Sequence, residues 1–276
     1  MKIFVTGSNG FIGSHVVKTA LTDGHEIVGL RRSNKPVKID LSPQPTWVEG
    51  TLEDDMRSAL EGCESIIHLA AYGVNPSLDS WKEAFRWNVS ASLDFWVQAK
   101  QAGVKRIVIA GSCSEYGRSA ERYEYVPCDA PLEPVNSYGA SKAAATIAAM
   151  TFGRENELEL AVLRPFHIFG EGESQERLWP SLKKAALAGE DFPMTLGEQI
   201  RDFTPVEFSA KTFIHYATEA IIQQGEPEIH NLGTGQPSSL KSFAEAQWKR
   251  FGATGRLKYG EISYRTNEVM RYVPLV

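Results

Sequence analysis

Ser112, Tyr138 and Lys142 are three residues whose types suit oxidation and reduction at an alcohol or ketone carbon. Tyr138 and Lys142 are spaced i and i+4, which places them on one face of a helix. A Lys ammonium about 4 Å from a phenol contributes about 4 kcal/mol and would lower a phenol pKa of about 10 by roughly 3 units. We therefore predict that Tyr138 is a general acid/base and that Ser112 hydrogen-bonds the reacting oxygen, while a nicotinamide carries the hydride.

The strands that must position these residues are short runs rich in Ile and Val, alternating with helical stretches. We predict strands at Lys2 to Thr6, Glu26 to Leu30, Ser65 to Leu69, Arg106 to Ala110 and Leu160 to Arg164. This alternation predicts an α/β fold with a Rossmann-like, doubly wound parallel sheet, in which ligands bind at the carboxyl ends of the strands. Ser112 directly follows one such strand.

Helices are predicted between these strands and after them. We predict helices at Ser80 to Gly103, at Tyr138 to Glu155 introduced by Pro134 and Ser137, at Glu176 to Ala188, at Ser209 to Gln223, and at Leu240 to Phe251 with Ser239 as the N-cap. Glycines and prolines interrupt the chain after about residue 166. We therefore predict a dinucleotide-binding domain over residues 1–168 and about 203–232, with a smaller substrate lobe over about 169–202 and 233–276.

A glycine-rich turn follows the first strand and opens the first helix, with the sequence Gly-Ser-Asn-Gly-Phe-Ile-Gly from Gly7 to Gly13. Glycines in this position permit a tight turn and bring the backbone close to a pyrophosphate at a positive helix end. A glycine triplet alone is weak evidence, but its place directly after a strand predicts a dinucleotide site. The residues predicted to bind the cofactor here are Gly7, Asn9, Gly10, Phe11, Ile12 and Gly13.

The residues after the second strand bear on the choice of cofactor. An acidic residue there would accept hydrogen bonds from the adenosine ribose of NAD, but the sequence reads Arg31-Arg32, and no Asp or Glu follows before Asp40. Two guanidinium groups could hold a 2′-phosphate, so we predict NADP, with NAD as the alternative. A solvated basic loop is the other interpretation of the arginine pair.

The composition limits the class of protein. The chain has 276 residues, 42% of them hydrophobic, and a net charge of −5 without a cluster of Lys and Arg. We therefore expect a globular protein without a nucleic-acid or membrane partner. The three cysteines lack metal-ligand spacing, which predicts no metal site and no disulfide framework. The N-terminal sequence enters a strand pattern at once, and this favours a cytoplasmic location.

Further motifs accompany the glycine turn, Ser112, Tyr138 and Lys142. They are His68-Leu69-Ala70-Ala71, Asn88, Gly111 to Gly117, Leu163 to Gly170, Arg201-Asp202-Phe203 and Asn231 to Gly235. Together these motifs resemble the extended short-chain dehydrogenase/reductase family, in its branch of NDP-sugar epimerases, dehydratases and ketoreductases. The resemblance implies that Asn88 supports the Lys142 network and that the substrate is a nucleotide-diphosphate sugar. The further cofactor contacts that it implies are Leu52, Leu69, Ala70, Ala71, Pro165 and the catalytic Tyr138 and Lys142. The substrate contacts that it implies are Ser114, His167, Arg201, Arg265 and Glu268.

Departures from the family pattern favour one activity. Sugar 4,6-dehydratases carry an Asp-Glu pair where this chain has Cys113-Ser114, and 4-epimerases usually carry an acidic residue where Arg31 stands. His167 and its neighbouring segments look similar to CDP-4-keto-6-deoxyhexose reductases of the abequose and paratose synthase type. The sequence therefore favours NADPH-dependent reduction of a 4-keto-6-deoxy sugar. The alternatives are an NAD-dependent 4-epimerase and a non-catalytic NADP(H)-binding regulatory protein.

The resemblance also implies a homodimer. Relatives often dimerise through the helices predicted at Ser80 to Gly103 and Tyr138 to Glu155. Aromatic side chains on the first of these helices would suit such an interface, or would form part of the core. These side chains are Trp81, Phe85, Trp87 and Trp96.

Overall fold

The strands of the protein form one large parallel sheet and two small sheets. The computed structural model describes residues 1–32, 35–74, 80–266 and 268–276. In chain order the strands are β1 (Lys2–Thr6), β2 (Glu26–Arg31), β3 (Thr46–Glu49), β4 (Ser65–His68), β5 (Arg106–Ala110), β6 (Glu159–Pro165), β7 (His167–Phe169), β8 (Phe192–Met194), β9 (Ile200–Pro205), β10 (Glu228–Leu232), β11 (Pro237–Ser239), β12 (Leu257–Tyr259) and β13 (Arg271–Tyr272).

The large sheet has seven strands in the order β3-β2-β1-β4-β5-β6-β10, and each neighbouring pair is parallel. Its central strands are buried, as their Ile and Val content predicts, and the order reverses between β1 and β4 in the manner of a doubly wound fold. The predicted fold class is thus confirmed. The two edge strands, β3 and β10, were not predicted from the sequence, because each is short and mixes polar with apolar residues.

Helices cover both faces of the large sheet. In chain order they are α1 (Phe11–Thr22), α2 (Arg57–Leu60), α3 (Trp81–Phe85), α4 (Ala91–Gln101), α5 (Ser137–Glu155), α6 (Leu178–Ala188), α7 (Val206–Thr218) and α8 (Leu240–Arg250). The apolar side chains of α1 and α7 form one core with one face of the sheet, and those of α4 and α5 form a second core with the other face. The predicted helix from Ser209 to Gln223 both begins and ends earlier, as α7.

The predicted helix from Ser80 to Gly103 is interrupted. A π-helical turn at Arg86–Ser90 separates α3 from α4, and the Ser92 hydroxyl at the start of α4 donates back to the Trp87 carbonyl oxygen at 3.0 Å. Such turns are frequent at functional sites. Here the turn carries Asn88, whose side chain points away from solvent toward the segment that follows β4.

The two small sheets lie in the second half of the chain. The four-stranded sheet joins β7, β9, β11 and β13, and the two-stranded sheet joins β8 to β12. Helices α6 and α8 pack together beside them, and the Ser239 hydroxyl caps α8 as predicted by accepting from the Ser242 amide at 2.9 Å. The domain boundaries proposed from the sequence stay a prediction.

Candidate active site

The glycine turn joins the end of β1 to the start of α1. Helix α1 begins after Gly10, none of the side chains that the structure describes caps its first amides, and its first turn has no acidic residue. These amides are free to face an anion at the positive end of the helix dipole. A Cβ at Gly13 would lie 2.0 Å from the Gly7 carbonyl oxygen, so only glycine permits this close packing of turn and helix. The turn therefore fits the pyrophosphate of a dinucleotide.

The remaining predicted cofactor contacts lie around this turn at the carboxyl edge of the sheet. The Thr6 hydroxyl accepts hydrogen bonds from the amides of Leu69 and Ala70, both at 3.1 Å, and so holds the segment after β4 against the turn. Ala71 is exposed, Asn9 donates to the Lys35 carbonyl oxygen at 3.0 Å, and Leu52 is buried in the core. The other predicted contacts, Phe11, Ile12 and Pro165, are partly exposed.

Arg31 ends β2 and is already engaged by its neighbours. Its guanidinium Nη2 lies 3.0 Å from Glu49 Oε1 and its Cζ lies 4.7 Å from the centroid of the Trp47 ring, while Arg32 is exposed. The sequence predicts no carboxylate near this strand end before Asp40. This prediction is wrong, because β3 pairs Glu49 with Arg31. The alternating Thr-Trp-Val-Glu run was the signal that could have located this strand.

Ser112 and Tyr138 come together beside this edge. Ser112 lies two residues beyond β5, is 7% exposed, and hydrogen-bonds the Tyr138 phenol. Tyr138 lies in the first turn of α5, which begins after Asn136. A Cβ at Gly139 would lie 2.5 Å from the Ser114 carbonyl oxygen, so the glycine lets α5 approach the turn that carries Ser112. The structure therefore brings the predicted Ser112 and Tyr138 into hydrogen-bond contact.

The pKa of Tyr138 differs from the lowered pKa that the sequence predicts. Burial raises the pKa of Tyr138 to about 12, the Ser112 hydrogen bond lowers it, and the charges of Cys113 and Glu115 raise it. The Lys142 ammonium donates to the Ala110 carbonyl oxygen at 2.6 Å. The expected lowering of the Tyr138 pKa by Lys142 is thus wrong: burial of the phenol raises this pKa, and the groups that lower it are Ser112 and Arg177.

This difference gives a direct prediction for the cofactor-free chain. Because the folded pKa of Tyr138 is about 12, its phenol should stay protonated throughout the neutral and mildly alkaline range. The difference in absorbance at 295 nm between the native chain and Tyr138→Phe should stay flat up to pH 10. A phenolate signal that appears in this difference below pH 9 would contradict the assigned environment.

Lys142 is 4% exposed and lies on the same helix as Tyr138. Asn88 supports this helix through the neighbouring Ser141, donating to its hydroxyl at 2.9 Å, and not through Lys142 itself. The Asn88 side chain also accepts from the Tyr72 amide at 2.7 Å and donates to the Tyr72 carbonyl oxygen at 3.0 Å. Asn88 therefore ties α5 to the segment that follows β4.

His167, Arg201 and Glu268 come together on the side of the small sheets. Arg201 is 5% exposed, and its Nη2 donates to Glu268 Oε1 at 2.7 Å and to the Val269 carbonyl oxygen at 2.6 Å. The His167 pKa lies well below its usual value, first because of burial and then because of the charges of Arg201 and Arg177. Among the described residues, none hydrogen-bonds His167 Nδ1.

The other two predicted substrate residues lie at the margins of this group. Ser114 is partly exposed and donates its amide to the Ser112 hydroxyl at 3.1 Å. Arg265 is exposed, and its carbonyl oxygen accepts the Glu268 amide at 3.1 Å. The structure thus joins Glu268 to Arg201 by an ion pair and leaves the side chain of Arg265 at the surface.

The sequence did not predict the buried ion pair that lies behind Ser112. Glu115 is fully buried and accepts the Ser112 amide at 2.8 Å and Arg164 Nε at 2.7 Å. Arg164 also donates to the Tyr116 hydroxyl at 2.8 Å, and that hydroxyl donates to the Asn231 side chain at 2.7 Å. The Ser-x-x-Glu spacing of a capping box was the signal for the Ser112 contact. Nothing local indicated the arginine, which lies on β6.

The described residues contain neither a membrane-spanning helix nor a cluster of metal-ligating side chains. None of the helices in residues 1–32, 35–74, 80–266 and 268–276 is long and apolar enough to cross a membrane. The same residues contain no group of three or more His, Cys, Asp and Glu side chains that could hold a metal ion.

The sheet order, the glycine turn and the Ser/Tyr/Lys arrangement define a dinucleotide-binding oxidoreductase class. The chain matches the model of the NAD dependent epimerase/dehydratase family over residues 3–233 and belongs to that family. It is an enzyme of the short-chain dehydrogenase/reductase type, as the sequence resemblance implied, and of the NDP-sugar epimerase/dehydratase kind. The finer likeness to abequose and paratose synthases stays a prediction.

The names of individual relatives refer to different nucleotide sugars. The chain is 27% identical to a UDP-glucose 4-epimerase of Corynebacterium glutamicum, over 89% of this chain and 79% of the relative. It is 28% identical to a dTDP-6-deoxy-L-talose 4-dehydrogenase (NAD(+)) of Aggregatibacter actinomycetemcomitans, over 89% of this chain and 88% of the relative. Among solved structures it resembles MoeE5 in complex with UDP-glucuronic acid and NAD, at 29% identity and a TM-score of 0.85, covering all of this chain and 90% of that one.

Proposed function

We propose that the protein is an NAD-dependent 4-epimerase of a nucleotide-diphosphate sugar. The observation that carries this proposal over the reductase is the engagement of Arg31 by Glu49 and Trp47, which leaves its guanidinium less available for a 2′-phosphate. Relatives named as UDP-sugar 4-epimerases, and a solved relative holding NAD, support it further. The 4-epimerase is therefore the first candidate and the 4-ketoreductase the second, whereas the sequence alone favoured the 4-ketoreductase.

In this proposal the chain's own residues hold the sugar and move one proton. A nicotinamide held by the glycine turn and Lys142 would supply reversible hydride transfer at C4 of the sugar, the chemistry that inversion of this carbon needs. In its phenolate form, which the positive charge of bound NAD would favour over the cofactor-free chain, Tyr138 would take the proton of the C4 hydroxyl and give it back, and Ser112 would hold the same oxygen by a hydrogen bond. Lys142 holds the cofactor ribose and keeps a positive charge near the site.

The sugar nucleotide would occupy the side of the site built by the small sheets. Arg201 and Arg265 offer guanidinium groups to the diphosphate, and Arg201 must share its charge with Glu268. His167 Nδ1 and the Ser114 hydroxyl are the groups proposed to contact the sugar. Arg201 and Arg265 belong to the proposed substrate lobe, residues 169–202 and 233–276.

The NADPH-dependent 4-ketoreductase is the second candidate. Arg32 is exposed after β2 and remains available for a 2′-phosphate, and the talose 4-dehydrogenase relative catalyses a 4-oxidoreduction by name. A non-catalytic NADP(H)-binding protein is disfavoured because Ser112, Tyr138 and Lys142 are all present.

Turnover without a stoichiometric reductant separates these candidates. The purified chain should interconvert the 4-epimers of at least one of UDP-glucose, UDP-N-acetylglucosamine and UDP-glucuronic acid, either with the nucleotide that it retains or with catalytic NAD. Oxidation of NADPH by CDP- or dTDP-4-keto-6-deoxyglucose, with no epimerisation of any UDP-sugar, would establish the reductase instead.

We also propose a homodimer formed through α3 and α5, which contact each other. Trp81 on α3 is 60% exposed and stacks on Phe85, and Ile147 on α5 is 62% exposed. Trp96 cannot contribute to this interface because it is 1% exposed and lies in the core. Apolar surface of this kind is typical of a partner contact.

Ile147→Glu should convert the dimer to a monomer, because it places a charge in an apolar contact. Light scattering coupled to size-exclusion chromatography measures the mass directly. Leu187→Glu is the matched control, since Leu187 is 67% exposed but lies on α6. Equal masses for the native chain and both variants would contradict the proposed interface.

A further inference from the structure

We propose that Glu49 sets the dinucleotide preference of this site by occupying Arg31, which would otherwise bind the 2′-phosphate of NADP. Glu49 ends β3 and acts through Arg31, the residue that ends β2. The inference rests on the proposed dinucleotide-dependent function and adds the residue that would exclude one of the two dinucleotides. Glu49 is in this view a specificity-determining residue outside the Ser/Tyr/Lys arrangement.

The end of β2 lies directly beside the glycine turn. The hydroxyl of Ser8, within that turn, donates to the Leu30 carbonyl oxygen at 2.7 Å. The parallel register pairs Val5 of β1 with Gly29 of β2, so Arg31 lies level with the turn, two residues further along. When a pyrophosphate binds at a turn of this kind, the adenosine ribose reaches the end of the second strand. Arg31 therefore lies at the strand end where NAD and NADP differ.

The guanidinium of Arg31 is held from two directions by β3. Its Nη2 donates to Glu49 Oε1 at 3.0 Å, and its Cζ lies 4.7 Å from the centroid of the Trp47 ring. The Trp47 ring is itself fixed, because its Nε1 donates to Gln44 Oε1 at 3.1 Å and a Cβ at Gly29 would lie only 3.0 Å from the ring. The sheet register also pairs Arg31 directly with Glu49. Arg31 is therefore ordered by the chain itself.

One donor of Arg31 remains after these contacts. Among the residues that the structure describes, none accepts a hydrogen bond from the buried Arg31 Nε. A ribose hydroxyl is a neutral acceptor that would satisfy this single donor. A 2′-phosphate instead carries about two negative charges and is best held by paired guanidinium donors. Because Nη2 already donates to Glu49, a phosphate would compete for these donors and meet the Glu49 carboxylate at the same guanidinium.

The exposure of the ion pair favours a role in specificity over a role in folding. The side chains of Arg31 and Glu49 are 31% and 51% exposed. An ion pair this open to solvent adds little to stability. A carboxylate beside a binding group can still disfavour the wrong ligand through like-charge repulsion. Neutralising Glu49 should therefore leave the fold intact and change which dinucleotide is preferred.

The test compares the binding of NADH and NADPH to the full chain without sugar, measured from the fluorescence of the reduced nicotinamide. We expect the native chain to bind NADH at least about tenfold more tightly than NADPH. Glu49→Gln should reduce this ratio by about tenfold, mainly by strengthening NADPH binding. The gain should be smaller at about 0.5 M salt than at about 0.05 M salt, because salt screens exposed charges.

Two control variants show whether the effect depends on Arg31. Glu133→Gln removes a carboxylate from another exposed ion pair, with Arg122, and should leave the ratio unchanged. Arg31→Met combined with Glu49→Gln removes the guanidinium that the phosphate would use. This double variant should lose the gain in NADPH binding that Glu49→Gln produces. Arg32, which is exposed, is present in every variant and so cannot account for a difference between them.

An affinity ratio that is the same in Glu49→Gln as in the native chain would overturn the proposal. A gain in NADPH binding that persists in the double variant would also overturn it, since Arg31 would then not hold the phosphate. A native chain that prefers NADPH would contradict it directly. None of these measurements needs turnover, so a chain that binds NADH tightly but epimerises no sugar would contradict the proposed function and leave this inference in place.

Discussion

Tyr138→Phe is expected to lower turnover by roughly 10²- to 10⁴-fold, the usual contribution of a positioned general acid/base. The variant loses the one phenolic hydroxyl that Ser112 hydrogen-bonds, and it keeps the ring that fills the same space at the start of α5. The proton of the C4 hydroxyl then has no acceptor within the Ser/Tyr/Lys arrangement. Steady-state kinetics on the converted nucleotide sugar measure this loss.

Binding of the dinucleotide should survive that change, because the glycine turn is untouched. Calorimetric titration with NAD should give affinities within a few-fold of each other for the native chain and Tyr138→Phe. Tyr125→Phe is the control, since Tyr125 is 37% exposed and outside the site. If Tyr138→Phe kept more than a tenth of the native turnover, the role given to Tyr138 would be wrong.

Gly13→Ala is expected to weaken dinucleotide binding by roughly 100-fold, because a displacement of about 1 Å in a positioned site has an effect of this size. Its Cβ would lie 2.0 Å from the Gly7 carbonyl oxygen and 2.8 Å from the Gly7 carbonyl carbon. Both atoms are backbone, so either the turn or α1 must move. The free amides at the start of α1 would then no longer meet the pyrophosphate.

Gly24→Ala separates this effect from ordinary backbone strain. Gly24 lies just beyond the other end of α1 with φ +83°, and a Cβ there meets no atom within 4 Å. Its substitution should cost about 1 kcal/mol of stability and leave NAD affinity unchanged. Fluorescence titration with the reduced dinucleotide measures both variants. Native affinity in folded Gly13→Ala would show that the turn does not hold the pyrophosphate.

Those parts of the site that depend on local pattern could be predicted from the sequence. The glycine turn, Ser112 after β5 and Tyr138 four residues before Lys142 are each set by a short motif and the strand or helix next to it. The parallel sheet followed from the buried Ile and Val runs, because such strands can only be covered on both faces by helices.

The contacts that the sequence did not predict depend on how separate strands and the turns after them pair in the sheet. Glu49 reaches Arg31 only because the unpredicted β3 pairs with β2, and Arg164 reaches Glu115 across 49 positions of the chain. The pKa of Tyr138 is higher than the sequence predicts for a related reason. The effect of Lys142 could be calculated from spacing, but the desolvation of the phenol depends on the residues that the fold places around it.

The central claim is that Tyr138, Ser112 and Lys142 support a reversible oxidation at C4 of a nucleotide sugar. The most direct measurement uses the converted UDP-sugar carrying deuterium at C4, incubated with the enzyme in ordinary water and followed by ¹H NMR. We predict that the 4-epimer forms with the deuterium still at C4, because the same hydrogen is removed and returned within one active site. An epimer that carries solvent hydrogen at C4, or a product that forms only when NADPH is consumed, would contradict the proposed function.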